Sequence, residues 1–291
     1  MQKSKIGIIT VAYNETVHLS KLLASIKKNS PKLISNVVVV DNSDDKKAMV
    51  SNVVKSFGAK YVSSGGNIGF GAANNKGISL LNCEYLLFLN PDVVVYKNSI
   101  ERLIEFLDTN RGFAGCSPLM VSEDGNTFHQ IGTKLLTPIN ALFVESFVNK
   151  WFPGNPISKD FYKLYDKGEY LLTKTLPGSA FLVRKSDFEK IGLFDERFFM
   201  FFEEFDIGVR MDKLSKKLAI VKGSIVSHGW KKLSTGKNLN PTFKRSRRVY
   251  FEKHYGLISM LLVEIFLFLS PKRIGMFAVF SLIIFAITSI W

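Results

Sequence analysis

Acidic and amide side chains follow several of the apolar, strand-like runs in this 291-residue sequence. The clearest case is Asn90-Pro91-Asp92, which comes directly after the apolar residues 85–89. Proline cannot donate to a ladder of strand hydrogen bonds, so the strand should end there. A carboxylate at a strand end suits Mg²⁺ or Mn²⁺, which take oxygen ligands and share them with substrate phosphates. The alternative is a plain turn, because all three residues favour turns.

Two further candidate groups follow other predicted strands. Asp41 ends the second strand, where an acidic residue can accept hydrogen bonds from a ribose or a base. It could equally be a turn residue or a helix cap. The stretch 67–71 precedes a helix, and its glycines would let the backbone approach a phosphate, although a tight turn has the same composition. It does not match GxGxxG, which disfavours a Rossmann dinucleotide site.

Glu203 and Glu204 follow an aromatic run at residues 198–202. Apolar neighbours raise the pKa of a carboxyl group toward the range of a general base. The alternative is that both carboxylates only complement the dipole of the helix that begins there. His228 follows a late strand and is a candidate ligand for a metal or a phosphate, with a purely structural histidine as the alternative.

Strands and helices alternate along the first part of the chain, which predicts an α/β fold with a parallel sheet and right-handed crossovers. The carboxyl ends of such strands meet at one edge, where ligands bind. Residues 122–175 lack a clean period and predict loops and short helices over a pocket. Ser186, with Glu189 three residues later, predicts a capping box. The predicted strands are 6–11, 37–40, 59–62, 85–89, 113–116, 178–184 and 218–221.

The composition, 46% hydrophobic and 22% charged, allows a large core. The formal charge of +14 indicates an anionic partner. Cys83 and Cys116 lack CxxC spacing and fit a reducing compartment. The apolar run 6–12 is too short for a signal peptide, so export is not expected. Basic residues crowd the approach to the apolar tail, which favours an anionic lipid surface over nucleic acid: Lys231, Lys232, Lys237, Lys244, Arg245, Arg247, Arg248 and Lys253.

The tail itself divides into two apolar segments. Residues 257–269 are too short to span a bilayer comfortably, whereas 274–291 carry no charge and have about the minimum length for a spanning helix. A buried core helix is the alternative. We therefore predict a catalytic domain at 1–255 and membrane-associating hydrophobic helices at 256–291.

Several of these motifs, in this order, resemble the family 2 glycosyltransferases of the GT-A fold, and most of all the bacterial rhamnosyltransferases that build O-antigen, capsule or cell-wall linkers. The similarity runs from about residue 5 to residue 255. The motifs that carry it are Thr10-Val11-Ala12-Tyr13-Asn14-Glu15, Val40-Asp41-Asn42-Ser43, Asn67-Ile68-Gly69-Phe70-Gly71, Leu89-Asn90-Pro91-Asp92, Pro177-Gly178-Ser179-Ala180 and Phe201-Phe202-Glu203-Glu204-Phe205-Asp206.

The resemblance implies a role for each of these positions. Glu204 would be the catalytic base, and Asp92 would be the main metal ligand, with His228 helping to bind metal or diphosphate. Two positions depart from the family pattern: Asn90 replaces the first acid of Asp-x-Asp, and Glu-Glu replaces Glu-Asp at the base. The nucleotide sugar would contact Ala12, Tyr13, Glu15, Asp41, Asn67, Gly69, Asn74, Asn75 and Asn90. The acceptor would contact Gly178, Ser179 and Glu203.

The implied reaction is a metal-dependent transfer that inverts the anomeric centre in one displacement. The expected cofactor is Mn²⁺ or Mg²⁺. The expected donor is a nucleotide-diphospho-sugar, with L-rhamnose from dTDP-rhamnose preferred and galactose, glucose or N-acetylglucosamine from UDP as alternatives. The expected acceptor is a lipid-linked saccharide, at the cytoplasmic face of the inner membrane.

Three other functions compete with this interpretation. A nucleotidyltransferase would need a glycine-rich basic phosphate loop near the first strand, and Tyr13-Asn14-Glu15 is not one. A nucleic-acid-binding protein is favoured by charge alone and is not expected, because the basic cluster adjoins the tail. A catalytically silent membrane scaffold with the same fold is the third. The oligomeric state is not readable from the sequence.

Overall fold

A computed structural model of the protein describes residues 4–44, 49–122, 132–229 and 241–268. The strands are β1 (Ser4–Ala12), β2 (Val37–Asp41), β3 (Lys60–Ser63), β4 (Cys83–Leu89), β5 (Val93–Val95), β6 (Phe113–Val121), β7 (Tyr165–Asp166), β8 (Tyr170–Thr173), β9 (Ala180–Arg184) and β10 (Lys217–His228). The helices are α1 (Val17–Asn29), α2 (Val50–Phe57), α3 (Phe70–Ile78), α4 (Ser99–Thr109), α5 (Pro138–Val144), α6 (Phe147–Trp151), α7 (Pro156–Phe161), α8 (Lys185–Lys190), α9 (Glu203–Lys213) and α10 (Pro241–Phe268).

These strands form one sheet in the order β3-β2-β1-β4-β9-β6-β10-β8-β7, and β5 pairs with β10. The half from β3 to β4 is parallel, as the alternation of strands and helices predicted. The other half is mixed, because β9 runs antiparallel to both β4 and β6. The predicted α/β class with a central sheet is confirmed, and the sheet is more mixed than the strand pattern indicated.

The central parallel strands β1, β2 and β4 are mainly apolar because both of their faces are covered. Ile8 of β1 packs into one core layer with Leu19 of α1. Its neighbour Ile9 points the other way and packs into a second layer with Ala73 of α3. Side chains alternate across a strand, so a continuous apolar run fills both layers at once.

Strand β5 is short, yet it decides the position of an important carboxylate. It follows Asp92 immediately and pairs antiparallel with the end of β10, so that Val93 lies opposite His228. The backbone N–H of Gly229 donates to the carbonyl of Asp92 at 3.3 Å. This pairing brings the 90–92 turn to the end of a strand that comes more than 130 residues later.

One local expectation is wrong, and a second, for residues 122–175, is confirmed in part; residues 123–131 of that region lie outside the described part of the chain. The predicted capping box at Ser186 does not form, because α8 already begins at Lys185 and has no side-chain cap at Arg184. Residues 132–175 do contain the expected short helices α5 to α7, but they also contain the antiparallel strands β7 and β8. Strand β8 pairs with β10 and could not be recognised locally, since its residues are only partly buried and lack strict alternation.

The C-terminal helix α10 is interrupted at Gly256, where φ is +84°. Before the break, its side chains Tyr250 and Phe251 are fully buried beside Phe202. No helix in the described part of the chain is both long and apolar enough to cross a membrane. The predicted spanning segment 274–291 and the basic residues Lys231, Lys232 and Lys237 lie outside the described residues. The predicted domain boundary after residue 255 falls beside Gly256 and stays a prediction.

Buried charges join α9 to α10. Asp206 of α9 is 1% exposed and accepts from Lys253 Nζ of α10 at 2.5 Å. His254 Nε2 lies 2.7 Å from the same carboxylate, and Arg210 Nε donates to it at 2.9 Å. Burial alone would raise the pKa of Asp206, but these three partners outweigh it and hold the pKa below its usual range. The cluster therefore anchors α10 to the helix that begins at Glu203.

We expect Asp206→Asn to lower the free energy of unfolding by about 3 kcal/mol, because it leaves buried cations without their anion. Urea denaturation at pH 7 measures this. Asp212→Asn is the matched control on the same helix, since Asp212 forms an exposed ion pair with Lys174. It should cost less than about 1 kcal/mol. Equal losses in the two variants would contradict the anchoring role of Asp206.

Candidate active site

Asp41 lies at the end of β2, directly opposite Ala12 at the end of β1. Its carboxylate accepts from the hydroxyl of Tyr61 at 2.9 Å and from the backbone N–H of Ser43 at 3.2 Å. These contacts hold the carboxylate at the strand edge with acceptor capacity to spare, because an ionised carboxylate has about four acceptor sites. It can therefore accept from a further donor, such as a ribose hydroxyl or a base N–H.

The loop before α3 is fixed by an amide pair. Asn42 donates through Nδ2 to Asn67 Oδ1 at 3.0 Å, and its own Oδ1 accepts from the N–H of Ile68 at 3.0 Å. Gly69 has φ +91°, and a Cβ there would meet the carbonyl oxygen of Phe199 at 2.6 Å. Glycine is therefore required for the loop to approach the aromatic run so closely.

Asn74 and Asn75 were both predicted to line the sugar channel. Their side-chain amides form hydrogen bonds with other residues of the protein. Asn74 is 1% exposed and donates to the carbonyl of Phe70 within α3 at 2.9 Å. Asn75 donates to the carbonyl of Phe194 at 2.9 Å and accepts from the N–H of Phe194 at 3.1 Å. Both residues thus brace the wall formed by α3 and the residue-194 loop, and direct contact with a sugar stays a prediction.

Residues after β1 form a second group at the same edge. Tyr13 is 49% exposed, and its hydroxyl donates to Asp44 Oδ2 at 3.0 Å. Glu15 accepts from the backbone N–H of His18 at 2.9 Å and lies 2.9 Å from its ring Nδ1. Burial opposes ionisation of Glu15, but the contacts with His18 outweigh it and lower the pKa of the carboxyl group.

Asp92 and His228 meet as β5 and β10 pair, with 3.2 Å between Asp92 Oδ1 and His228 Nε2. Burial raises the pKa of Asp92, but the hydrogen bond and charge of His228 outweigh it, so the pKa lies below its usual range. The charge of His18 acts in the same direction. Asp92 is therefore an anionic, one-third exposed oxygen donor beside an imidazole.

A pocket of about 330 Å³, counting its open mouth, lies between α3, β9 and the start of α9. Its walls include Gly178 and the two carboxylates Glu203 and Glu204, and the rest of the lining is apolar. The other residues that line it are Phe70, Leu176, Phe181, Phe194 and Ile207. The structure thus brings a predicted base and two predicted acceptor-binding residues to one pocket.

The backbone that leads into α9 is strained. Phe201 and Phe202 have φ values of +74° and +71°, a left-handed conformation that is rare for bulky residues. Such residues cost about 1–3 kcal/mol each and persist where the surroundings hold them. Phe202 is 2% exposed and packs against Phe243 and Tyr250 of α10, with ring centroids 5.1 and 5.6 Å away. Helix α10 therefore holds the turn that delivers Glu203 and Glu204.

Glu203 is 6% exposed, and among the described residues its Oε1 has no hydrogen-bond partner. Burial, followed by the charge of Glu204, raises the pKa of Glu203 to about 8. At neutral pH the folded protein therefore keeps Glu203 protonated. A neutral carboxyl group beside an anionic one can donate a hydrogen bond as well as accept one.

The raised pKa of Glu203 predicts a pH-dependent stability. The folded state holds this proton up to about pH 8, whereas the unfolded chain releases it near 4.5, so stability should fall as the pH rises through this window. Relative to the wild type, we expect the free energy of unfolding of Glu203→Gln to rise by about 4 kcal/mol between pH 5 and pH 9. Urea denaturation at both pH values measures the difference.

Glu189→Gln is the control for this prediction, because Glu189 is 54% exposed and forms only a surface ion pair with Lys185. Its effect on stability should be small at both pH values. If Glu203→Gln also shows no difference between pH 5 and pH 9, the carboxyl group of Glu203 is not held neutral by its surroundings.

Two backbone hydrogen bonds connect segments that carry these groups. Asn90 donates its backbone N–H to the carbonyl of Ser179 at 2.8 Å, which joins the metal-motif turn to the acceptor side of the pocket. Phe70 donates its N–H to the carbonyl of Phe199 at 2.8 Å, which joins the 67–69 loop to the aromatic run before α9. These hydrogen bonds connect the segments that carry the sequence-predicted residues, and the residues that line the pocket itself are Gly178, Glu203 and Glu204.

Three residues at this edge were missed by the sequence reasoning: Asn42, His18 and Tyr61. Asn42 stands next to the predicted Asp41, and His18 lies three residues after Glu15 in the first turn of α1, so both had a local signal. Tyr61 had none, because it reaches Asp41 only through the pairing of β2 with β3.

Comparison with known proteins gives consistent results. The family model described as Glycosyl transferase family 2 matches residues 7–192. The N-acetylglucosaminyl-diphospho-decaprenol L-rhamnosyltransferase of Mycobacterium tuberculosis is 25% identical over 242 residues, which are 79% of this chain and 78% of that protein. Rhamnosyltransferase WbbL of Escherichia coli is 24% identical over 225 residues, which are 74% of this chain and 79% of that protein.

Solved structures share the fold. The crystal structure of GalNAc-T7 with UDP, GalNAc and Mn²⁺ superposes with a TM-score of 0.60 at 19% identity, covering 84% of this chain and 48% of that one. The crystal structure of S. aureus TarS gives a TM-score of 0.53 at 16% identity, covering 89% of this chain and 42% of that one. This chain thus spans less than half of either structure, and the likeness concerns the fold alone.

Proposed function

Because this chain belongs to glycosyltransferase family 2, and is therefore a glycosyltransferase, we propose that it transfers L-rhamnose from dTDP-rhamnose to a lipid-linked saccharide with inversion of the anomeric centre. One observation carries the proposal: Glu203 and Glu204 line a pocket with Gly178, and the neighbouring Ser179 is hydrogen-bonded to the turn that bears Asp92. This hydrogen bond supports a site in which a base in the pocket and an anionic oxygen ligand at Asp92 act on one substrate. Relatives named as rhamnosyltransferases support the choice of sugar.

A divalent cation fits the Asp92–His228 pair. Among the described residues, no three His, Cys, Asp or Glu side chains are grouped closely enough to hold a metal by themselves. Mg²⁺ is commonly held by one or two carboxylates and completes its shell with water and substrate phosphates, so the carboxylate of Asp92 suits it, and Mn²⁺ takes similar oxygen ligands. Asp92 and His228 would hold the ion. When bound, it would offset the negative charge of the departing nucleoside diphosphate.

Glu204 is the proposed base. It would accept the proton of an acceptor hydroxyl, whose oxygen then bonds to the anomeric carbon as the bond to the diphosphate breaks. The apolar walls formed by Phe70, Phe181 and Phe194 limit the water that could compete with the acceptor. Because Glu203 keeps its proton at neutral pH, it can donate a hydrogen bond to an acceptor oxygen and leave Glu204 as the proton acceptor.

The donor nucleotide would occupy the edge beside β1 and β2. Asp41 has spare acceptor capacity there, and the exposed ring of Tyr13 offers a surface on which a base can stack. The loop 67–69 lies between this edge and the carboxylate pocket. A nucleotide sugar that spans the two would bring its anomeric carbon toward Glu204.

The proposed acceptor is a saccharide carried on a lipid diphosphate, at the cytoplasmic face of the inner membrane. The M. tuberculosis relative is named for N-acetylglucosaminyl-diphospho-decaprenol, which supports this class. The formal charge of +14 favours approach to an anionic surface.

The test is a transfer assay with purified full-length protein, Mn²⁺ and a synthetic N-acetylglucosaminyl-diphospho-lipid. We expect a product that is heavier by one deoxyhexose with dTDP-rhamnose, detected by mass spectrometry. UDP-galactose, UDP-glucose and UDP-N-acetylglucosamine are run in parallel. Faster transfer from any of these would replace rhamnose with that sugar, and no transfer from any donor to this acceptor would reject the acceptor class.

A further inference from the structure

Helix α10 exposes an apolar stripe after its break at Gly256. The exposed residues on it are Leu257 (56%), Ile258 (74%), Leu261 (48%), Ile265 (53%) and Phe268 (76%). At about 100° per residue these five side chains fall within about 100° of arc on one side of the helix. Val263 and Phe266 lie on the other side and are buried at 1% and 4% exposure.

Helix α6 packs against the buried side of α10 and exposes two further aromatic residues. The ring of Phe147 stacks on Phe266 of α10 with centroids 5.3 Å apart, and the Trp151 ring lies 5.2 Å from Phe147. Trp151 is 41% exposed and Phe152 is 59% exposed. We call these two aromatic residues, together with the five exposed side chains of α10, the apolar face.

We propose that the apolar face lies on an anionic lipid bilayer, with α10 parallel to the surface and Trp151 at the level of the headgroups. Amphipathic helices lie in the bilayer interface in this way, and tryptophan is enriched at this depth. The chain beyond Phe268 continues in the same character, since residues 274–291 contain no charged side chain. The inference rests on the proposed function in one respect: a lipid-linked acceptor is reached only at a membrane.

The positive charge of the protein favours an anionic lipid surface over a second copy of the chain as the partner of the apolar face. Arg245 and Arg248 are exposed on the half of α10 that precedes Gly256, and Arg248 is 56% exposed although it also pairs with Glu264. Two chains of formal charge +14 repel each other, whereas an anionic surface attracts each of them.

The apolar face is also connected to the catalytic pocket. The part of α10 before Gly256 buries Tyr250 against Phe202, which immediately precedes Glu203. Ser246 of the same part donates through its hydroxyl to the carbonyl of Met200 at 2.7 Å. A bilayer under the apolar face would therefore lie against the helix that holds the catalytic turn.

The test uses the full chain with Trp230→Phe and Trp291→Phe, which leaves Trp151 as the single tryptophan. Vesicles of phosphatidylcholine with 30% phosphatidylglycerol carry a doxyl quencher near the headgroup. We expect strong quenching of Trp151 on these vesicles and much weaker binding to pure phosphatidylcholine. Binding to the anionic vesicles without quenching would overturn the proposal, because another part of the chain would then make the contact.

Substitutions provide a second test. The triple change Ile258→Ser, Leu261→Ser and Ile265→Ser should weaken vesicle affinity about 100-fold, because three exposed aliphatic groups no longer enter the interface. Leu80→Ser is the matched control: Leu80 is 46% exposed but precedes β4 at the opposite edge of the sheet. It should change affinity less than twofold. Unchanged affinity of the triple variant, or self-association of the wild type that this variant abolishes, would overturn the proposal.

Failure of the proposed function would be recognised separately. Thermal stabilisation by dTDP-rhamnose with Mn²⁺ reports on the donor site and needs no membrane. Quenching of Trp151 without thermal stabilisation by dTDP-rhamnose would support the membrane contact of the apolar face and contradict the proposed sugar donor. Thermal stabilisation by dTDP-rhamnose without quenching of Trp151 would support the donor and contradict the membrane contact of the apolar face.

Discussion

Replacing Glu204 by glutamine should lower kcat at least 1,000-fold while the affinity for the nucleotide sugar changes less than threefold. Glutamine keeps the size of the side chain but cannot accept a proton, and general-base catalysis is worth about 10² to 10⁴ in rate. The donor contacts lie elsewhere along the edge, around Asp41 and the 67–69 loop, so binding should survive. Steady-state transfer kinetics and titration calorimetry with the donor measure the two quantities.

Glu189→Gln is the matched control for this substitution, since it makes the same chemical change at an exposed position of α8. Its kcat should stay within twofold of the wild type. If Glu204→Gln keeps its turnover, the base is another group of the same pocket, and Glu203→Gln becomes the next variant to assay. A parallel loss of donor affinity would instead indicate a structural change at the start of α9.

Replacing Asp92 by asparagine should lower kcat/KM about 100- to 1,000-fold at 1 mM Mn²⁺, with the affinity for Mn²⁺ reduced at least tenfold. The carboxylate is the anionic member of the proposed ligand pair, and His228 holds it ionised at 3.2 Å. Electron paramagnetic resonance of free Mn²⁺, in the presence of nucleoside diphosphate, measures binding independently of activity. EDTA should stop transfer by the wild type, and added Mn²⁺ or Mg²⁺ should restore it.

Asp108→Asn is the control, because Asp108 pairs with Lys5 and Tyr85 near the starts of β1 and β4, at the other edge of the sheet. Its Mn²⁺ affinity should equal that of the wild type. Full activity of the wild type in EDTA, or unchanged Mn²⁺ binding by Asp92→Asn, would remove Asp92 from the metal site. The pair with His228 would then be purely structural.

Local sequence patterns were sufficient for the parallel half of the sheet. The apolar runs before Asp41 and Asn90 became β2 and β4, buried on both faces. Turn residues predicted where these strands end. Because ligands bind at strand ends, Asp41, Asp92 and the 67–69 loop became candidate site positions. Such features depend on neighbours within a few residues, so period and composition reveal them.

Residues 132–229 were harder, because their pairing is non-local. Strand β8 forms because it pairs with β10. Its own residues lack the alternation that would mark them as a strand. The Ser186 cap failed because α8 begins at Lys185, directly after the last residue of β9. The left-handed turn at Phe201 and Phe202 had no local signal either, since it depends on burial against the distant helix α10.

By itself, the sequence determined the α/β class, the parallel strands and the identity of the chemical groups, because hydrophobic period and turn chemistry are properties of short segments. The tertiary structure alone decided which groups meet. It set Asp92 beside His228 through the pairing of β5 with β10, and it buried Glu203 next to Glu204 so that one carboxyl group keeps its proton. These are consequences of distance and desolvation, which arise only when segments far apart in the chain are packed together.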